Sequence, residues 1–226
     1  YHARYDSMAV ELPLNFMPEH PFDNGELIIR DEQLAATPRQ PEKIRQHIRD
    51  YYAMITHLDA QIGRLLAVLE ENGQLDNTFI VFAGDNGLAV GQHGLMGKQN
   101  LYQHSINVPL LISGPGLARG EQREAFCYLT DLFPTFCELT NSPVPGGLDG
   151  RSLLPALQGE SGPRDTLHFQ YKGFQGAIRA GDDKLIRYTV DDQERLQLFD
   201  LAADPWEQHN LAEAQPEKAA GLKAAF

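Results

Sequence analysis

Two cysteines, Cys127 and Cys137, are all the thiols in 226 residues. That is too few for a disulfide framework, and a disulfide, a thiol pair and free thiols all stay open, so the redox compartment is not read from them. No apolar run approaches the roughly 20 residues that a membrane span needs. Positive charge is scarce as well: 19 Lys and Arg stand against 31 Asp and Glu, for a net charge of −12. An acidic chain repels a phosphate backbone, which argues against nucleic acid as a partner. The first residues, Tyr1-His2-Ala3-Arg4-Tyr5-Asp6, hold no initiator Met and neither the basic nor the apolar part of a leader. They read as a start left by processing or truncation, so the absence of a signal peptide says nothing of location. Repeats, low-complexity tracts and coiled-coil patterns are absent too. What is there is ordinary for a folded protein: 42% hydrophobic and 22% charged residues, in a length that suits one domain or one and a half.

Residues 7–40 read as an irregular surface segment, punctuated by Pro13, Pro18, Pro21 and Pro38 and by the turn signal Asp23-Asn24-Gly25. A different pattern starts at Glu42. Ile44, Ile48, Tyr51, Ile55, Leu58, Ile62, Leu65 and Leu69 fall three or four apart, the apolar stripe of one long helix from Glu42 to Asn72. Pro41 suits its first turn and Asn72-Gly73 its end. Thr78–Ala83 and Val108–Ser113 are continuously apolar, which predicts strands buried on both faces. A long helix leading into such strands predicts an α/β fold with a mostly parallel sheet flanked by helices. A shorter helix is expected within 126–141, with Leu132, Phe133, Phe136 and Leu139 as its apolar face. After Thr166, the runs 167–171, 177–180, 184–190 and 196–201, separated by Gly and Asp, predict a small antiparallel sheet. A helical tail over 216–226 follows.

Chemistry is concentrated in Gly84-Asp85-Asn86-Gly87-Leu88-Ala89-Val90-Gly91-Gln92-His93-Gly94-Leu95-Met96-Gly97-Lys98. This loop leaves the end of a predicted strand, where open α/β sheets bind ligands. Its five glycines allow close approach of backbone to a ligand. Asp85 and Asn86 offer adjacent hard oxygens that suit calcium or magnesium. Lys98 supplies a compact positive charge able to stabilise an anionic ester, and His93 a proton or a hydrogen bond. Singly, Asp-Asn-Gly is more often a hairpin turn and a lysine more often a solvated charge. Jointly, on one loop, the functional reading is the better one.

The run from Asp76 to Gly116, with Gly84-Asp85-Asn86-Gly87, Gly91-Gln92-His93-Gly94-Leu95, Gly97-Lys98, Leu101-Tyr102 and Val108-Pro109-Leu110-Leu111-Ile112-Ser113-Gly114-Pro115-Gly116, resembles the sulfatase family within the alkaline phosphatase superfamily. So do Tyr51–Gly63, Asp131-Leu132-Phe133-Pro134-Thr135, Gly150-Arg151-Ser152-Leu153, Leu198-Phe199-Asp200-Leu201 and Asp204-Pro205-Trp206-Glu207. The resemblance implies an alkaline-phosphatase-like α/β domain whose later part is residues 1–125, with 126–226 as its last helix and a smaller C-terminal α+β subdomain. It implies Asp85 and Asn86 as metal ligands for a divalent cation, usually calcium. It implies Lys98 as the residue that binds the sulfate group and steadies the leaving oxygen. His93 joins Lys98 as a candidate catalytic residue, although the resemblance implies loop packing for it more than contact with substrate. Gln103 and Asn107 depart from the Glu and Arg of many relatives and alter the charge near the pocket.

The family nucleophile, a Cys or Ser converted to formylglycine within Cys/Ser-x-Pro/Ala-x-Arg, has no match. Cys127 and Cys137 lie in other surroundings, and Ser161-Gly162-Pro163-Arg164 is one residue short. The family's first Asp-Asp metal pair and central histidine are missing too. The expectation is therefore the C-terminal portion of a bacterial sulfatase, inactive as the 226-residue chain, with the formylglycine upstream. The implied partner of the whole protein is a small sulfated substrate, a glycan, aryl or alkyl sulfate. The expected setting is soluble, in the bacterial periplasm or cytoplasm. The alternatives are a phosphonate or phosphate ester hydrolase of the same superfamily, and a non-catalytic binding remnant.

Overall fold

A computed structural model describes residues 1–226. A four-residue helix, α1 (His2–Tyr5), lies against the long helix α2 (Pro41–Glu71). Helix α2 starts with Pro41 in its first turn and ends before Asn72 and Gly73, as its sequence predicts. At 1.5 Å per residue it is about 46 Å long. Its burial is not what the stripe predicts. Ile44, Ile48 and Ala53 are buried, but Ile55 is 47%, Leu58 50% and Leu65 66% exposed.

Next come β1 (Ile80–Ala83), the short helix α3 (Gln103–Ile106) and β2 (Leu110–Ser113). The mostly parallel sheet is not present in this chain. β1 and β2 form a two-stranded antiparallel pair, with Ile80 opposite Ser113 and Ala83 opposite Leu110. The reason lies in the connection. A parallel partner needs a crossover that carries the chain back to the start of the first strand. Here the loop returns to the end it left, where Gly84 N–H donates to Pro109 O at 3.1 Å. Nor are these strands buried on both faces: Phe82 and Leu111 are exposed.

After α4 (Leu132–Leu139) and α5 (Leu154–Leu157), the predicted antiparallel sheet is present as a meander. Its strands are β3 (Thr166–Tyr171), β4 (Gln175–Ala180), β5 (Asp183–Val190) and β6 (Gln193–Asp200), in the order β3-β4-β5-β6. The tail forms α6 (Pro216–Ala224). Helix α4 buries Pro134, Thr135 and Cys137, not the predicted face, and Phe133 is exposed. Thr135 decides this: its hydroxyl donates to Asp131 O at 2.6 Å and accepts from Leu153 N–H at 2.8 Å, which turns that side inward.

Alternation along the meander gives it two buried faces. Ala177, Ile186, Tyr188, Phe199 and Leu201 pack against Ala89, Leu95, Leu101 and Tyr102 of the glycine-rich loop. On the other face Ile178, Leu185 and Leu198 pack beneath Ala219 and Leu222 of α6. The Pro-punctuated segment is irregular, as predicted, yet it is not a mere surface run. Asn15, Asn24, Glu26, Glu32, Ala35 and Arg39 are buried, and Val10, Leu12 and Phe16 pack on the cluster Ala35, Ile44, Ile48, Val90 and Met96. It is a strap laid across the loop. No helix is long and apolar enough to cross a membrane.

Candidate active site

The loop that follows β1 owes its course to backbone packing. Gly94 has φ +75°, and a Cβ there would lie 2.3 Å from the carbonyl carbon of Glu19. At Gly97 a Cβ would lie 2.7 Å from Gln99 Oε1 and 3.0 Å from Glu32 Oε1. These glycines therefore admit the strap, not a ligand, which revises the reading of their purpose.

Asp85, Asn86 and Lys98 line one cavity of about 990 Å³. Its walls come from the loop and α3, from the segment 123–130, and from β3. Asn86 N–H donates to Asp85 Oδ1 at 2.9 Å, and Asn86 Nδ2 donates to Gly87 O at 2.8 Å. The amide nitrogen thus donates to backbone, and its oxygen Oδ1 accepts no hydrogen bond within the chain. Neither Asp85 nor Lys98 forms an ion pair within the chain. One carboxylate and one ammonium, each without a counter-ion, and one amide oxygen therefore share a single cavity. Gln103 and Asn107 line it as well.

Two oxygen donors fit part of a hard-cation site, since calcium takes six to eight oxygens. No group of three or more His, Cys, Asp or Glu side chains in the chain is arranged to hold a metal. The donor chemistry therefore fits calcium or magnesium, and two donors are about a third or less of the oxygens such an ion takes.

His93 is not brought to Lys98. It does not line the cavity, is 5% exposed and has φ +52°. Asn15 Nδ2 donates to its Nε2 at 3.1 Å, and its ring stacks on Tyr102 at 3.9 Å. Burial, then the nearby His20 and Lys184, push its pKa down to about 3. His20 donates from Nδ1 to His93 O at 2.8 Å, and burial lowers its pKa to about 4. His93 is thus a neutral packing group in the wall between loop, strap and meander, which argues against a catalytic part for it.

Ser161 does not line the cavity of Asp85, Asn86 and Lys98. Arg164 donates both terminal nitrogens to Asp131, a fully buried carboxylate that also accepts from Tyr128 N–H at 2.7 Å and Arg151 N–H at 2.8 Å. Cys127 and Cys137 are both free, and burial pushes the Cys127 thiol up. Sequence reasoning missed Glu32 and Arg39, buried beside Gly97. Their only sequence signal was charge in a Pro-punctuated segment, which reads as solvated surface.

The family profile "Sulfatase" matches residues 19–142, and the profile "N-sulphoglucosamine sulphohydrolase, C-terminal" matches residues 91–223. An N-acetylglucosamine-6-O-sulfatase of Bacteroides thetaiotaomicron is 34% identical over 182 residues, covering 75% of this chain and 32% of that protein. A structure solved in complex with its substrate, D-glucosamine-2-N,6-O-disulfate, superposes with a TM-score of 0.72 at 32% identity, over 82% of this chain and 40% of that one. The phosphonate monoester hydrolase of Agrobacterium radiobacter superposes with a TM-score of 0.70 at 28% identity, over 82% of this chain and 41% of that one. The chain thus spans about a third to two fifths of the length of these relatives. Between them the two profiles run from residue 19 to residue 223, and the chain belongs to the sulfatase family.

Proposed function

We propose that this chain is the C-terminal portion of an enzyme that hydrolyses small sulfate monoesters with the help of a divalent cation. The observation that carries the reading is the shared cavity of Asp85, Asn86 and Lys98, in a chain matched by sulfatase profiles over most of its length. Residues 1–125 then form the later part of the catalytic domain and 126–226 its last helix and a C-terminal subdomain. That boundary is one of chain order, since the meander and the loop share a core.

In this reading the Asp85 carboxylate and the Asn86 oxygen would hold a divalent cation such as calcium, which would supply positive charge to the site. The Lys98 ammonium binds the sulfate oxygens and stabilises the charge that grows on the leaving oxygen. The nucleophile, a formylglycine, and the remaining ligands belong to an upstream part of the protein. Exposed apolar residues support that view: the stripe of α2 from Ile55 to Leu65, together with Phe82 and Leu111, form faces that need cover. The substrate class, a sulfated glycan, aryl or alkyl ester, rests on the relatives.

The test is an aryl sulfate assay with calcium on the 226-residue chain and on the chain extended by its upstream coding sequence. Turnover is expected only from the extended form. Turnover by the short chain that disappears with Lys98→Ala would overturn the fragment reading. A second reading, phosphonate ester hydrolysis, is favoured by the likeness to the phosphonate monoester hydrolase. Comparing sulfate and phosphonate esters on the extended form decides between them, and turnover of neither leaves the non-catalytic remnant.

A further inference from the structure

Lys98 sits on a stretch without regular secondary structure, so something else must hold its backbone. The strap does. Glu32, 6% exposed, accepts Met96 N–H on Oε2 and Gly97 N–H on Oε1, both at 2.9 Å. One carboxylate thus bridges the two consecutive amides that precede Lys98. Arg39, 3% exposed, donates Nη2 to that carboxylate, Nη1 to Glu32 O at 2.8 Å and to Ala35 O, and Nε to Gly94 O at 2.9 Å. The pair therefore grips the loop at Gly94 and again at Met96-Gly97. Just beyond, Gln99 Nε2 donates to Asp31 Oδ2 at 3.0 Å, and Lys98 N–H donates to Gln99 Oε1 at 3.0 Å.

Stability alone is a weak reason for such an arrangement. Apolar side chains in place of a buried ion pair are often neutral or stabilising, whereas a buried pair specifies geometry well. Charge-assisted bonds to both amides fix the backbone of the loop before any ligand arrives. A backbone fixed in advance lowers the reorganisation left to the cationic side chain that it carries when charge develops. The glycine at 97 fits the same account, because a Cβ there would press on Glu32 Oε1.

We infer that Glu32, held by Arg39, is a positioning residue that fixes the backbone of Met96 and Gly97 and so presents the Lys98 ammonium to the cavity shared with Asp85 and Asn86. The inference rests on the proposed role of Lys98, and Glu32 itself touches no substrate.

The test has two arms. In the 226-residue chain, Glu32→Gln leaves one acceptor but removes the charge and the second acceptor. Amide hydrogen exchange at Met96, Gly97 and Lys98 should then quicken by about 10-fold or more, as the loss of a charge-assisted bond implies. Exchange at Leu185, Ile186 and Leu198 in the meander should not change. Equal quickening in the meander, or none in the loop, overturns the inference. The second arm is a double-mutant cycle in the extended, ester-hydrolysing form. Glu32→Gln should lower kcat by roughly 10- to 100-fold with little change in KM, and should have almost no further effect in a Lys98→Ala background. The same fall in both backgrounds overturns it. If no form hydrolyses an ester, the proposed function fails and the exchange arm alone decides whether Glu32 holds the loop. Should Glu32→Gln not fold, Arg39→Lys goes through both arms, since it keeps the charge but loses the Nε bond to Gly94 O.

Discussion

Lys98 and His93 stand five residues apart on one loop, and tertiary packing separates them. Lys98 lines the cavity without a carboxylate partner, while His93 is stacked on Tyr102 behind it. Lys98→Ala in the ester-hydrolysing form should therefore lower kcat about 100- to 1,000-fold, as for removal of one charge-stabilising donor. His93→Asn should act on folding first, read as a shift in the urea midpoint. The buried imidazoles also set a pH dependence. Asp23 faces His20, and Asp204 and Lys184 face His93, but burial dominates and holds both rings neutral. Their folded pKa values, about 4 and about 3, lie below the usual value of 6.5, so the unfolded chain takes up protons that the folded chain refuses. Stability is full above pH 6.5 and falls as the pH drops towards those values. For His20 the total loss is roughly 3 kcal/mol. Urea denaturation at pH 7 and at pH 4.5 measures it, and His20→Phe should flatten the slope.

Among the elements, the glycine-rich loop and the meander depend on each other. Gly94 at φ +75° meets the Glu19 backbone, whereas Gly73 at φ +64° meets nothing within 4 Å. Gly73→Ala should cost only the left-handed strain, about 1 kcal/mol, and Gly94→Ala at least about 2 kcal/mol because the strap must move as well. Chemical denaturation of the two variants separates strain from collision. β5 contributes Lys184, whose ammonium donates to Glu207 Oε1 at 2.5 Å with both side chains buried. Lys184→Ala leaves the Glu207 carboxylate without its counter-ion and should cost about 3–5 kcal/mol. A double variant, Lys184→Met with Glu207→Leu, should recover most of that loss. The elements themselves were largely legible. The three- and four-residue spacing of α2 records a helix, and the short runs of β3–β6 record strands, although only the start of the α2 stripe is buried. The antiparallel pairing of β1 with β2 was not legible, because short apolar runs carry no sign of direction.

For the molecule as a whole, the exposed face of α2 yields a comparison of two chain lengths. Ile55→Glu with Leu65→Glu should change the stability of the 226-residue chain by less than about 0.5 kcal/mol, as for surface positions. In the extended form the same pair should cost several kcal/mol if upstream residues cover that face. Urea midpoints of both forms decide the matter, and equal effects in the two would remove the support that this face lends to the fragment reading.

By itself the sequence determined the long helix, the meander, the family and three of the residues that line the cavity. Each of these is written in local spacing or in a contiguous motif. Tertiary structure decided which half of the α2 stripe is buried, that His93 turns away from Lys98, and that Glu32 and Arg39 lie inside. Burial of a charge depends on a counter-charge and amide donors brought from elsewhere in the chain: Glu32 finds Met96 and Gly97 more than sixty residues away, and no local pattern records that meeting.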